Sequence, residues 1–342
     1  MPSEVLVFID DEGKPGNIPD CATLIKQCFE LGPGQATATN VSGVRITLEK
    51  GSDHDVSDIW VKYGGDISMG EARTQHFVAQ YLEHKNSPAV RAPRLYLAFT
   101  WKGVGFIVSE YIYGQECDDS DDALIATAVM ALIAIPSPDS KPGPVGGGLI
   151  EHPFFYNRLS SIEYKSVEDL EDHVNGVGVL FCHLGCSPTD NSIQILSVTG
   201  RKSRVNFCDE VTKHGLCLCV SDLKQVNFLK DMDGRIVAVD FGGYSFLPPS
   251  FFAFALRQGS LAHRIATMLN YPSSSPNASA VESASCALAP FSSNDIGEQI
   301  SSVSFFSLPL AHFQEQRAHC TAQAFQGDCD PNVVARRGPK AM

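Results

Sequence analysis

Residues 221–243 read SDLKQVNFLKDMDGRIVAVDFGG, and this stretch restricts fold and chemistry more tightly than any other in the chain. Asp233-Gly234 is a turn pair, and Arg235 to Val239 is a strand-like run, so the segment predicts a β-hairpin. A chain that reverses there brings Asp240 back beside Asn227, with Asp222 five residues ahead of Asn227. Two carboxylates and one carboxamide are thereby gathered at one end of a hairpin.

Such a set suits transfer of a phosphoryl group, which asks for positioning and charge neutralisation rather than covalent participation by the protein. Mg²⁺ is a hard cation that prefers oxygen donors, and one carboxylate plus one amide oxygen leaves room for phosphate and water. A second carboxylate can orient a hydroxyl and accept its proton. In that division of labour Asn227 and Asp240 hold the metal, and Asp222 is the base. The bland alternative is a hairpin that carries carboxylates by chance.

The rest of the chain supplies the surroundings. Helices are expected over 20–31, where Leu24, Ile25, Cys28 and Leu31 share a face, and over 70–83, where Ala72, Phe77, Val78 and Leu82 do. Residues 44–48, 58–63, 95–99 and 105–113 alternate as strands. The acidic run ECDDSDD (116–122) precedes an apolar helix ending at Ile135. Asp118, Asp119, Asp121 and Asp122 are read as partners of that helix's dipole rather than as a cation site. Pro136–Gly148 is loop, with VGGGL (145–149) a tight turn. Ser166 and Asp169 start a helix through Asn175, and 260–269 and 293–300 are helical. Residues 176–200 lack periodicity. The domain division is therefore 1–114, a small mixed lobe including the hinge strand; 115–305, a larger, mainly helical lobe interrupted by the irregular insertion 176–200; and 306–342, a poorly ordered tail.

With 342 residues there is enough chain for one large domain or two lobes with substantial cores. A net charge of −13 argues against a nucleic-acid partner. The first residues lack the basic flank and apolar core of a signal peptide, and the run Ala123–Ile135 is too short to span a bilayer. The expectation is a cytoplasmic protein without a membrane partner, whose 11 cysteines are thiols. Cys182, His183, Cys186, Cys217, Cys219, His319 and Cys320 do not fall at zinc-site spacing.

DLKQVN (222–227) resembles the catalytic loop of protein kinases, and Asp240-Phe241-Gly242 resembles their DFG. Val61-Lys62 looks like the strand lysine that pairs ATP phosphates, and Glu71 like the helix glutamate that holds it. Glu110 and Ile112 fall at the lobe junction, where backbone groups would meet adenine. Gly32 and Gly34 make no convincing phosphate loop. The segment after DFG, GYSFLPPSFF (243–252), carries no activation segment, and so the chain resembles the aminoglycoside/choline phosphotransferase branch instead. Within it, VKYG with a following EA (61–72), SEYIYGQE (109–116), IPSP (135–138), VGGGLIEHPFF (145–155), DGRIVAVDFGGYSFLPPSFFAFAL (233–256) and SNDIGE (293–298) are similar to a fungal phosphotransferase-like family. The wider branch has a histidine two residues before the base, where this chain has Val220, a departure that bears on loop geometry.

The resemblance implies an α+β, bilobal protein-kinase-like fold, with a small antiparallel-sheet N-lobe and a mainly helical C-lobe. It implies ATP and Mg²⁺ as cofactors and a small-molecule hydroxyl as acceptor. Asp222 would be the base, with Lys224 beside it at the transferred phosphate. Two rival readings stand beside this one. The first is a pseudokinase-type scaffold that binds nucleotide or a partner without turnover. The second is a protein Ser/Thr kinase, suggested by Lys224.

Overall fold

The computed structural model describes residues 5–31, 41–49, 57–183, 204–272, 275–288 and 293–294, with side chains between 178 and 183 excepted. In strand β3 (Asp58–Gly64) Ile59, Val61 and Tyr63 are buried, while Trp60 and Lys62 point to the opposite face. That alternation places β3 inside a five-stranded antiparallel sheet of order β1-β5-β6-β3-β2, with β1 (Val5–Asp10), β2 (Val41–Thr47), β5 (Leu95–Trp101) and β6 (Val104–Glu110). Helix α1 (Cys21–Leu31) covers one face with Leu24, Ile25 and Cys28. Under it Phe99 stacks on Phe106, ring centroids 4.7 Å apart, and the Tyr63 hydroxyl donates to the Cys28 carbonyl at 3.0 Å.

Helix α2 (Met69–His84) lies between this sheet and everything that follows. The Ser68 hydroxyl caps it by accepting from the Glu71 amide at 3.0 Å. Ala72 packs against Leu95, Ala98 and Ile107 of the sheet, whereas Val78 and Leu82 join the core of the lower lobe. Arg73 Nε and Nη2 each donate at 2.9 Å, to the Val145 and Gly147 carbonyls, and the Thr74 hydroxyl accepts from the Val145 amide. The VGGGL turn is therefore a clamp on α2. Gly146 and Gly147 sit at φ of 71° and 85°, where a side chain would be strained and would run into Arg73 and Glu163.

Past the connector 111–113 the lower lobe packs α3 (Asp122–Ile133), α4 (Val167–His183), α5 (Phe207–His214), α6 (Pro249–Ala255), α7 (Ser260–Leu269) and α8 (Pro276–Leu288) around one core. The predicted hairpin is present as β9 (Phe228–Asp231) and β10 (Ile236–Ala238), turning through Gly234 at φ 80°. It belongs to a four-stranded sheet, β4-β10-β9-β7, completed by β4 (Val90–Arg91) and β7 (Gly114–Glu116). A two-stranded ribbon joins β8 (Cys217–Val220) to β11 (Tyr244–Leu247). The α+β arrangement expected from the sequence is the one observed.

Three expectations change. Helix α4 does not stop at Asn175 but continues to His183, so the first part of the supposedly irregular 176–200 is helical; Gly176 and Gly178 obscured its period, although Val177 is buried. The acids of 118–122 do more than face a helix dipole. Asp118 and Asp121 form a capping box, while Arg264 pairs with Asp119 and Asp122, and Lys230 with Asp121. Strand β6 ends at Glu110, so residues 111–113 are the connector rather than strand. Gly32, Gly34, the end of the insertion, 295–300 and the tail lie outside the described residues. Among the described residues no helix is long and apolar enough to cross a membrane.

Candidate active site

Lys62, on the face of β3 opposite the α1 core, is the centre of the upper half of the site. Its Nζ donates to Glu71 Oε1 at 2.5 Å and to Asp240 Oδ1 at 2.7 Å. Glu71 stands in the first turn of α2, where the serine cap fixes its backbone, so helix start and strand face together set the pair. Burial works to lower the Lys62 pKa, but the charges of Glu71 and Asp240 outweigh it and raise it, and the ammonium stays protonated. Burial pushes Glu71 up, against the pull of Lys62. Glu151, whose carboxylate borders Gly242, is likewise pushed up by burial and by Glu71 and Asp240. Three carboxylates thus crowd one ammonium, an excess of negative charge that favours a further cation.

Asp240 has φ 64° and ψ 73°, a left-handed conformation that costs a non-glycine residue about 1–3 kcal/mol. The surrounding chain imposes it. The Val239 amide is bound to the Asn227 carbonyl at 2.9 Å, and Phe241 is fully buried with its ring 4.4 Å from that of Tyr244. The bend turns the Asp240 carboxylate toward Lys62 and leaves it about half exposed.

Asp222 defines the lower half. Asn227 Nδ2 donates to its Oδ2 at 3.0 Å and to its carbonyl at 2.9 Å. With the amide nitrogen so engaged, the Asn227 side-chain oxygen is presented as an acceptor on the other side. Oδ1 of Asp222 receives Lys224 Nζ at 3.0 Å and Arg158 Nη2 at 2.9 Å. The loop itself is braced by Ser221. Its amide and hydroxyl both donate to the Gly243 carbonyl, at 3.0 and 2.7 Å, and the hydroxyl also reaches the Glu151 carbonyl at 3.1 Å. Val220 is a fully buried strand residue opposite Tyr244, so that position packs the core while Ser221 ties the loop to the segment after DFG.

Lys62, Glu71 and Asp240 therefore meet in one group, and Asp222, Lys224 and Asn227 in another, the two joined through the Asn227–Val239 bond. Glu110 and Ile112 lie at the connector. The Glu110 carboxylate accepts Arg91 Nη1 on both oxygens at 2.9 Å, and its amide donates to the Arg94 carbonyl at 2.8 Å; Ile112 is nearly buried. Arg158 and Glu151 escaped the sequence reading. The phrase GLIEHPFFYNRL contains both, but nothing in its spacing points to residue 222.

No protein-family model and no curated protein matches the chain. Solved structures do. Spectinomycin phosphotransferase APH(9)-Ia, in complex with ADP and spectinomycin, is similar at 10% identity, covering 88% of this chain and 94% of that one, with a TM-score of 0.44. A thermostable mutant of aminoglycoside phosphotransferase APH(4)-Ia is similar at 13% identity over 84% and 92%, TM-score 0.43. Choline kinase from Cryptosporidium parvum is similar at 13% identity over 90% and 95%, TM-score 0.35.

Proposed function

We propose that this chain is a phosphotransferase that moves the γ-phosphoryl group of ATP to a hydroxyl of a small molecule, with Mg²⁺. One observation carries the reading: a buried Lys62–Glu71 pair is bound to Asp240, and Asp240 follows directly on the residue hydrogen-bonded to Asn227, whose amide orients Asp222. In it the acceptor oxygen bonds to the γ-phosphorus as the bond to the β,γ-bridging oxygen breaks. The hydroxyl proton passes to Asp222 Oδ1, and ADP leaves. Lys62, braced by Glu71, neutralises the phosphates that stay behind, and Lys224 meets the group in transit.

The donor set fits Mg²⁺. The Asp240 carboxylate and the Asn227 side-chain carbonyl are hard oxygen donors beside an acid-rich cluster. Bound there, the ion would offset charge on the phosphates. Glu110 is proposed to meet adenine through its main-chain carbonyl, since its carboxylate is committed to Arg91 and its amide to the Arg94 carbonyl, and Ile112 through its main chain. The proposed division is an N-lobe of 1–114 and a C-lobe of 115–305, in a cytoplasmic protein. Residues 244–247 and 249–255, which follow the DFG, are almost wholly buried, and this supports a small acceptor over a protein one.

A scaffold that binds nucleotide without turnover is the second reading. What favours it is Asp222 Oδ1, the oxygen needed for the proton, which is already paired with two cations. Thermal unfolding with ATP, with and without Mg²⁺, on wild type and Asp240→Ala separates the cases when combined with ADP production. Saturation near 100 Kd adds about 2.7 kcal/mol. The expected result is a Mg²⁺-dependent shift lost in Asp240→Ala. Its absence in folded wild type removes both nucleotide readings, and a shift without ADP release from any hydroxyl compound selects the scaffold.

A further inference from the structure

Arg158 is delivered to Asp222 by a loop whose backbone is held from several sides. Glu151 bridges to Leu159, the His152 amide donates to the Arg158 carbonyl at 2.8 Å, and the Arg158 amide donates to the Phe155 carbonyl at 2.9 Å. From the other side the Asn294 carboxamide accepts from the Tyr156 amide and donates to the Tyr156 and Leu159 carbonyls. Within this frame Asn157 and Arg158 both take positive φ, 55° and 64°. Two successive left-handed non-glycine residues are a costly conformation that persists only where its surroundings over-determine it. The product of that geometry is a guanidinium 2.9 Å from Oδ1 of Asp222 and about two-fifths exposed.

The two oxygens of Asp222 are not equivalent. Oδ2 accepts from Asn227 and keeps an acceptor site, whereas Oδ1 has both of its sites taken by cations. Arg158 and Lys224 both sit on it. A hydroxyl that approaches Oδ1 has to share it with these cations or displace them. Lys224, the more exposed of the two, is assigned above to the group in transit. Arg158 is then left facing the acceptor. Glu151, whose charge Arg158 also feels, borders Gly242 and stands beside Glu71 and Asp240, which oppose its ionisation.

We infer that Arg158 is a specificity-determining residue and that the acceptor is an anionic alcohol, with a carboxylate or phosphate close to the hydroxyl that is modified. The inference rests on the phosphotransferase reading for the word acceptor, but the anion site is defined by Arg158 itself. The anionic group takes the guanidinium from Asp222 in a charge-assisted, two-pronged contact. The same exchange frees a site on Oδ1 for the hydroxyl proton, so a substrate of the right charge also readies the base. A cationic amino alcohol would leave the guanidinium unpaired beside a like charge.

Calorimetric titration of the full chain with ADP·Mg²⁺ tests this, using glycerate and glycerol 3-phosphate as anionic probes and glycerol and ethanolamine as neutral and cationic ones. The proteins are wild type, Arg158→Gln and Arg158→Lys. At least one anion is expected to bind at one site, with Kd roughly 10- to 100-fold weaker in Arg158→Gln and intermediate in Arg158→Lys. Where turnover is seen, KM for the anion should rise more than kcat falls. An unchanged ATP·Mg²⁺ thermal shift shows that the variants are folded. Glycerol or ethanolamine binding as tightly as the anions overturns the inference, as does an anion Kd within about twofold in Arg158→Gln, or binding of neither anion. A rise in KM for ATP alone also overturns it, by assigning Arg158 to the nucleotide. Anions held through Arg158 in a protein that shows no ATP shift would keep this site and remove the phosphotransferase reading.

Discussion

His152 is fully buried beneath the loop that presents Arg158, and its two ring nitrogens are both used. Nδ1 accepts from the Phe154 amide at 3.0 Å, and Nε2 lies 3.2 Å from the Phe251 carbonyl, to which it donates. Only the neutral ring protonated on Nε2 makes both bonds. Burial pushes its pKa down from 6.5 to about 3, with the Phe251 carbonyl opposing and Arg158 adding to the fall. The folded state therefore prefers the neutral ring, and the unfolded chain takes up the proton first. The stability from this group is complete above about pH 6.5 and is lost as pH falls toward 3, at about 1.4 kcal/mol per pH unit. At pH 4.5 the loss is about 3 kcal/mol, a large part of the roughly 5–15 kcal/mol that holds a domain together. Urea unfolding of wild type and His152→Gln at pH 7 and pH 4.5 isolates it, because carboxylates and other histidines contribute equally to both proteins. His152→Gln should be the less stable at pH 7 and should lose about 2–3 kcal/mol less on acidification. Equal losses in the two proteins would refute the reasoning.

The clamp on α2 predicts that Arg73→Ala destabilises the protein by about 1–3 kcal/mol and lowers any ADP-forming kcat, since Glu71 rides on the same turn; unfolding curves and steady-state kinetics check both. A side chain at Gly43 would come within 2.0 Å of Trp60 Cζ2, so Gly43→Val must displace the indole, seen as an altered Trp60 emission in a Trp101→Phe background and a cost of about 1–3 kcal/mol. Ile125, fully buried on α3, should cost about 2–5 kcal/mol as Ile125→Ala in chemical unfolding, with the ATP shift retained.

What could be read in the sequence follows from how local the determinants are. β3, β5 and α2 were legible because a period of two, or a capped helical face, is written within a few consecutive residues. α7 falls at 260–269 as expected for the same reason. β1 was missed because it lies at the sheet edge with most of its side chains exposed, which removes the alternation. β4 and β7 are two and three residues long and exist only through their partners on the hairpin. α8 is rich in alanine and serine and shows little contrast between its faces. At the site, the closeness of Asp222, Asn227 and Asp240 follows from spacing and the pairing of Lys62 with Glu71 from resemblance, whereas the ion pair of Lys62 with Asp240 is a finding of the structure. Arg158 reaches Asp222 across 64 residues through two left-handed backbone positions, a geometry that no residue pattern encodes.

The four-stranded sheet has a mechanical consequence. Its hairpin is stitched on one side to β4, which precedes the β5–β6 ribbon in the chain, and on the other to β7, which follows it. Arg91 rivets the same seam by holding Glu110 and Asp231 together. The upper sheet is then joined to the lower body through the short links 65–68, 92–94 and 111–113, and any rocking would bend there while Asn227 and Asp240 stay with the lower body. The ion pair from Lys62 to Asp240 spans the gap that such rocking would widen. Under the proposed function it would act as a latch that opens by exchange, since a visitor bearing both phosphate and a cation would offer each half a new partner at once.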